Sequence, residues 1–306
     1  MGYSSYSSAT YASMRSAAKT LSTDDLFVNN KTRSVDSGMD PKKMKLRECR
    51  DSDAHPLSLA IQFWLDETGS MGDVPEYLIR EKLGALIETM LKNNITDPAV
   101  LFGGIGDHKS DRHPLQVGQF ESGTDELAKW LTGLYLEGAG GGSSEESYLL
   151  AWYVAAKHTS IDCFEKRGKK GYLFTVGDEK THPSLRADQI KEIFGIGQAE
   201  DVTAEQLLAE AQQMYHVFHI HINTTSYRND PEVIGQWKGL LGQNFIVLDE
   251  PDNVAEVVAS TIAICEGVDK ASVLASLGKA GASVGSALVN INSTVVDSTN
   301  PSIIKF

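Results

Sequence analysis

The middle of this 306-residue chain alternates apolar runs of strand length with segments of helical periodicity, and this order restricts the possible folds most strongly. The predicted strands cover 58–65, 99–106, 115–120, 171–177, 215–223 and 244–249. The predicted helices cover 75–93, 125–136, 146–158, 204–214, 231–241 and 253–265. Such alternation indicates a parallel sheet with helices on both faces. We therefore predict an α/β fold with a doubly wound, mostly parallel sheet and one antiparallel edge strand.

The two ends of the chain differ in composition from this middle. Residues 1–56 begin with Ser, Ala and Tyr and then become charged without strand alternation, so this N-terminal extension either wraps the body or stays loose. Residues 267–306 are rich in small residues, and their glycines weaken any helix. We predict one α/β domain over 57–266 between an N-terminal extension, 1–56, and a C-terminal extension, 267–306.

Charge and cysteine content exclude several classes of protein. The formal net charge is −13, which disfavours a phosphate backbone as the ligand, so we expect no nucleic acid partner. The three cysteines are far apart and form no CxxC pair, which argues against a disulfide framework and a cysteine zinc site. No apolar run approaches the roughly 20 residues that span a bilayer. With no signal-peptide pattern at the start, we expect a cytoplasmic protein without a membrane span.

Polar clusters adjoin three of the predicted elements. Residues 66–71 follow the first strand, 140–146 precede a buried helix, and 177–179 follow the strand at 171–177. In a parallel sheet these loops meet at one edge, where ligands usually bind. Their donor atoms are all oxygen, which favours Mg2+, Ca2+ or Mn2+ over zinc or copper. Asp66, Thr68 and Ser70 alternate, so an extended loop can direct all three toward one ion.

Hydroxyl ligands are neutral and compensate the charge of a divalent ion only in part. The ion therefore keeps a site for an outside anion, and a carboxylate from a partner protein would supply it. We also expect four glutamates on the nearby surface, where they would repel an acidic group that approaches them and not the metal. These are Glu67, Glu145, Glu146 and Glu179.

The sequence Asp66-x-Thr68-x-Ser70 resembles the metal-ion-dependent adhesion site of von Willebrand factor A domains. The motif of that family is Asp-x-Ser-x-Ser, with a Thr in a later loop and an Asp after the fourth strand. Ser143 stands at the position of the Thr, which is Asp in a microbial variant, and Asp178 matches the late Asp. The motifs occur in the family's order, each at the expected strand end.

Asp107-His108, after the second strand, resembles a pair that is common in microbial members of the family. The resemblance covers about residues 57–266 and implies a six-stranded sheet and a protein-binding module that is not an enzyme. It implies that Mg2+, or Mn2+ or Ca2+, is held directly or through water by Asp66, Thr68, Ser70 and Ser143. Asp178 would orient a bound water. The implied partner is a protein that offers an Asp or Glu to the metal.

An enzyme is the alternative interpretation of the same loop. Residues 66–70 also resemble the phospho-accepting loop of haloacid-dehalogenase-type phosphotransferases. Asp66 would then be the nucleophile, and Asp178 with Glu179 would hold Mg2+. That family usually inserts a turn and a hairpin flap after the loop, whereas this chain enters a long helix almost at once. The binding module is therefore the favoured interpretation.

Two simpler interpretations concern single residues. Ser70 or Asp73 could cap the helix that follows, although capping does not explain a carboxylate at the end of a buried strand. His216, His219 and His221 share one predicted strand, but His216 faces the opposite side from the other two. Three converging imidazoles are therefore not available there, and we expect histidines with a structural role.

Overall fold

The structure is a computed structural model, and it describes residues 4–67, 74–137, 144–196 and 200–293. Its α-helices are α1 (Ser8–Ala18), α2 (Thr23–Leu26), α3 (Asn29–Thr32), α4 (Val74–Tyr77), α5 (Leu83–Lys92), α6 (Thr124–Thr132), α7 (Leu149–Lys157), α8 (Asp162–Glu165), α9 (Ala187–Phe194), α10 (Ala204–Met214), α11 (Pro231–Leu241), α12 (Val254–Cys265), α13 (Lys270–Ser276) and α14 (Gly281–Ala287). Its strands are β1 (Arg47–Cys49), β2 (Leu59–Asp66), β3 (Pro98–Ile105), β4 (Leu115–Val117), β5 (Glu145–Glu146), β6 (Thr159–Ile161), β7 (Gly171–Gly177), β8 (Lys180–Thr181), β9 (Ser184–Leu185), β10 (Val202–Thr203), β11 (Tyr215–Ile222) and β12 (Phe245–Leu248).

Six strands form the central sheet, in the order β12-β11-β7-β2-β3-β4. All neighbouring pairs are parallel except β3 and β4, which are antiparallel. The predicted mixed α/β fold with a mostly parallel six-stranded sheet and one antiparallel pair is confirmed. Because β2 lies between β3 and β7, its carboxyl end is in the middle of the sheet edge.

The sheet separates two apolar cores. Along β2, Ile61, Phe63 and Leu65 belong to one core, while Ala60 and Trp64 belong to the other. Helices α5 and α12 pack together in the first core, and α7 and α10 pack together in the second. A strand covered on both faces excludes water from every side chain, which explains why the sequence of β2 is almost wholly apolar.

The N-terminal segment wraps the body, which decides between the two possibilities that its composition left open. Phe27 and Met39 are wholly buried in the first core. Strand β1 pairs in parallel with β6, and Arg47 Nη2 donates to the carbonyl of Val117 at 2.8 Å. At the other end, α13 and α14 pack onto the same core. The boundaries of the domain at 57 and 266 stay predictions.

Several predicted elements differ from the structure in length. The single helix predicted at 75–93 consists of α4, a π-helical turn at Leu78–Lys82, and α5. Strand β4 ends at Val117 rather than 120, and α6 ends at Thr132, before Gly133. None of the helices within the described ranges is both long enough and apolar enough to cross a bilayer.

Candidate metal centre

The carboxyl ends of β2, β3 and β7 carry the polar residues that the sequence analysis singled out. Asp66 is the last residue of β2, Asp107 lies two residues beyond β3, and Asp178 directly follows β7. All three aspartates are almost completely buried. Since β2 pairs in parallel with both neighbours, these side chains lie at one edge of the sheet. Such an edge is the usual place for a ligand site in this kind of sheet.

A tyrosine immediately before α7 orients the Asp66 carboxylate. Tyr148 Oη donates to Asp66 Oδ2 at 2.6 Å, and both side chains are wholly buried. Burial, followed by the charges of Asp66 and Asp178, raises the pKa of Tyr148, so the phenol stays protonated and remains a donor. Gly177 makes this approach possible, since a Cβ atom there would lie 1.8 Å from Tyr148 Oη.

Two glutamates add acidic groups to the same edge. Glu146 is 3% exposed and Glu179 is 7% exposed. Burial raises the pKa of Glu146 to about 11, with further contributions from Asp66 and Glu179. Burial also raises the pKa of Glu179 to about 7, followed by the charges of Asp66 and Asp178. Within the described part of the chain, neither Glu146 Oε2 nor Glu179 Oε2 has a hydrogen-bond partner.

A third glutamate lies beside the end of β2. Gln116 Nε2 donates to Glu67 Oε2, and burial raises the pKa of Glu67 well above its ordinary value. Gly104 on β3 makes room for this carboxylate, because a Cβ atom there would lie 1.4 Å from Glu67 Oε1. The expectation that Glu67, Glu146 and Glu179 lie on the surface is therefore wrong. Only Glu145 of the four is partly exposed.

Short strands bring a second polar cluster to this end of the sheet. Strands β5 and β8 pair in parallel, with Glu145 opposite Lys180 and Glu146 opposite Thr181. The pairing places His182 beside the loop that follows β3. His182 Nε2 lies 2.7 Å from Asp107 Oδ1, and His182 Nδ1 lies 3.0 Å from Glu145 Oε2.

The structure covers part of the predicted site. Asp66 and Asp178 lie at neighbouring strand ends, as the topology predicted. Thr68, Ser70 and Ser143, together with Asp73, lie outside the described residues. The proposed metal-binding roles of Asp66, Thr68, Ser70, Ser143 and Asp178 stay predictions.

The histidines of β11 contact aromatic side chains and residues of the neighbouring strand β7. The ring of His219 stacks on Trp237, with 3.6 Å between centroids, and its Nδ1 lies 2.8 Å from Thr175 Oγ1. His216 contacts Tyr172, which is on the neighbouring strand. Over the described ranges, the three strand histidines do not belong to a group of three His, Cys, Asp or Glu residues that could hold a metal ion.

Tyr148 and His182 were not predicted to belong to this edge, and Glu146 was predicted to be exposed. Tyr148 is inconspicuous because an aromatic residue in an apolar helix is usually core. His182 depends on the pairing of two strands of two residues each, which have no recognisable period. One feature of the sequence indicates that Glu146 could be buried: it lies immediately before an apolar helical segment.

No family profile matches the sequence, and no curated protein matches it either. Solved structures with similarity include the pilus adhesin SpaC from Lactobacillus rhamnosus GG in an open conformation, with a TM-score of 0.43 and 9% identity over 70% of this chain. The chain spans 31% of the adhesin's length. The conserved hypothetical protein BatB from Bacteroides thetaiotaomicron has a TM-score of 0.39 and 14% identity, covering 67% of this chain and 97% of that one. Similarity this low supports no conclusion about binding. Any proposal about binding must therefore rest on the residues at the sheet edge.

Proposed function

We propose that this chain is a protein-binding module of the von Willebrand factor A type, that it depends on a divalent metal, and that it is not an enzyme. The metal would be Mg2+, or Mn2+ or Ca2+. Its ligands would be Asp66, Thr68, Ser70 and Ser143, with Asp178 orienting a bound water.

The observation that carries this proposal is the crowding of buried carboxyl groups around the end of β2. Four acids, Asp66, Glu146, Asp178 and Glu179, are each less than a tenth exposed, and the charge of Asp66 adds to the effect of burial in raising the pKa of both glutamates. Without a bound cation, this arrangement raises the free energy of the folded state, since desolvated like charges repel. A hard divalent cation would offset the repulsion, and oxygen donors are the ligands that such ions prefer.

The donor set fits a hard cation better than a structural hydrogen-bond network. In the described ranges, Glu146 Oε2 and Glu179 Oε2 are buried without a hydrogen-bond partner, as expected of groups that a bound ion and its waters would satisfy. When bound, the ion would supply a positive centre for a carboxylate from outside.

The residues of the chain would prepare that centre. Tyr148 fixes the rotamer of Asp66 through the hydrogen bond to Oδ2, so one carboxylate oxygen is directed away from the phenol. Without metal, Glu146 is protonated at neutral pH because its pKa is about 11, and a bound cation would favour the ionised form. A partner with a single Asp or Glu would then bind the metal, and the interface would cover the metal–carboxylate bond.

Metal-dependent stabilisation tests the site. Chelator-stripped protein should gain about 2.7 kcal/mol of unfolding free energy at a metal concentration of 100 times the dissociation constant. Melting curves with Mg2+ and Mn2+ should show this gain for the wild type, and Asp66→Asn should lose most of it. The matched control is Asp188→Asn, an exposed carboxylate on α9. An equal metal response in Asp66→Asn and the control would refute the assignment.

Binding and catalysis are then separated by two measurements on the same proteins. Affinity capture in Mg2+ should recover partners that are lost in EDTA and lost with Asp66→Asn. The wild type should not hydrolyse phosphoesters in Mg2+. Hydrolysis that Asp66→Asn abolishes would instead support the phosphotransferase, in which this aspartate is the nucleophile.

A further inference from the structure

The described residues contain one further cluster with the composition of a metal site, and it differs in chemistry from the oxygen-rich edge. One carboxylate oxygen of Asp107 and one ring nitrogen each of His108 and His182 lie within 4.8 Å of one another. Asp107 and His182 are almost completely buried. The rings of His108 and His182 meet edge to face, with 4.6 Å between their centroids.

We infer that Asp107, His108 and His182 form a second metal centre that binds a transition-metal ion such as Zn2+. Two imidazoles and one carboxylate are a common ligand set for zinc and leave a coordination position open. Magnesium and calcium prefer oxygen ligands alone, so the two centres would select different ions. This inference does not depend on the proposed function of the oxygen-rich edge.

Outer hydrogen bonds hold both imidazoles in the orientation that metal ligands need. His182 Nδ1 lies 3.0 Å from the Glu145 carboxylate, which can only accept, so this nitrogen donates and Nε2 faces Asp107. A histidine held by a carboxylate on one nitrogen and facing a metal with the other is a recurrent arrangement in zinc sites. Metal binding at Nε2 would replace the proton shared with Asp107 Oδ1, and that proton would leave to solvent.

His108 supplies the observation that a structural hydrogen-bond network does not explain. Its Nδ1 lies 2.7 Å from Ser147 Oγ, and the same oxygen accepts a hydrogen bond from the His108 backbone N–H at 2.8 Å. Its Nε2 is buried and has no hydrogen-bond partner among the described residues. Burial, followed by the charge of His182, lowers the pKa of His108 to about 4, so the ring is neutral at neutral pH, as a metal ligand must be.

His108 forms part of the wall of a cavity of about 370 Å³, which Asp111, Arg112 and His113 also line. Asp107 and His182 are not among the wall residues. We expect an ion to approach the cluster from this side, past His108, and its remaining ligands would be water or a small anion.

Equilibrium dialysis of the full chain tests the inference. Chelator-stripped protein, dialysed against Zn2+ in excess Mg2+, should retain one zinc per chain, and Co2+ in its place should give a visible absorption band. The zinc affinity of His108→Ala should be at least about 100-fold lower than that of the wild type. The zinc affinity of Glu145→Gln should be about 10- to 100-fold lower, because His182 loses its orienting partner.

Matched controls separate this site from surface binding and from the magnesium site. His113→Ala removes a neighbouring cavity histidine outside the cluster and should retain zinc, as should Asp66→Asn. The melting temperature in EDTA verifies that His108→Ala still folds. Zinc retained equally by His108→Ala and the wild type, or no zinc retained by the wild type, would overturn the inference.

Discussion

At the scale of single residues, the buried glutamates control how the folded protein responds to pH. Glu179 has a pKa of about 7 in the folded chain because of burial and the charges of Asp66 and Asp178. In the unfolded chain it ionises near pH 4.3. Its contribution to stability is therefore fully present below about pH 4, and is lost as the pH rises to about 7.

The substitution Glu179→Gln should remove this pH dependence in the absence of metal. Urea unfolding in EDTA should show that the wild type loses more stability than Glu179→Gln between pH 4.5 and pH 7, by about 2–3 kcal/mol. The control is Glu232→Gln, an exposed residue of α11. Identical pH profiles for the wild type and Glu179→Gln would show that the carboxyl group is solvated in the folded state.

The sequence predicted which aspartates meet at the edge but not the environment of the glutamates around them. Asp66 and Asp178 stand at the ends of strands that are almost wholly apolar, so topology alone brings them together. Glu146 and Glu179 lie in polar stretches that are usually solvated surface. Their burial depends on the pairing of β5 with β8 and on the packing of α11 against β8, and no local pattern encodes these contacts.

At the scale of elements, the carboxyl end of β7 determines how closely the start of α7 approaches Asp66. The last residue of β7 is Gly177, and the side chain of Tyr148, beside the start of α7, occupies the space where a Cβ atom would be. Close packing requires a glycine here. The backbone conformation does not, because the φ angle of Gly177 is not positive.

The substitution Gly177→Ala should displace Tyr148 and lower stability by about 1–3 kcal/mol, since the core cannot accept the added methyl group. Loss of the hydrogen bond to Asp66 should also weaken the metal response in melting curves. By contrast, Gly239→Ala on α11 meets no atom within 4 Å and should raise stability by up to about 1 kcal/mol. Equal effects of the two substitutions in urea unfolding would contradict the contact with Tyr148.

Elements of different length differ in how well the sequence predicts them. The long strands β2, β3, β7 and β11 have enough consecutive apolar residues to be recognised. Strands β5 and β8 have two residues each and owe their pairing to the tertiary fold. The His182 cluster depends on that pairing, so it could not be predicted from the sequence.

At the scale of the whole molecule, the N-terminal segment is part of the folded body. Phe27 is wholly buried in the core shared by α5 and α12, whereas Val28, the next residue, is 58% exposed. A stretch without large apolar runs can still pack in this way, because a few side chains reach a groove that other elements have formed. Composition alone does not reveal such a contact.

The substitution Phe27→Ala should therefore destabilise the whole protein by about 3–5 kcal/mol, as the removal of a core aromatic side chain does. Val28→Ala, its exposed neighbour, should change stability by less than about 0.5 kcal/mol. Both values come from urea unfolding of the full chain. A small, equal effect of the two substitutions would mean that the segment detaches in solution.

The pairing of β1 with β6 also orders events during synthesis. The two strands are separated by more than a hundred residues of chain, so β1 leaves the ribosome long before its partner. At about 5–20 residues per second, the delay is on the order of 5 to 20 seconds. During that time β1 has no partner strand, and its backbone N–H and C=O groups can bond only to water. This strand is therefore made early but can dock only after much of the body has been synthesised.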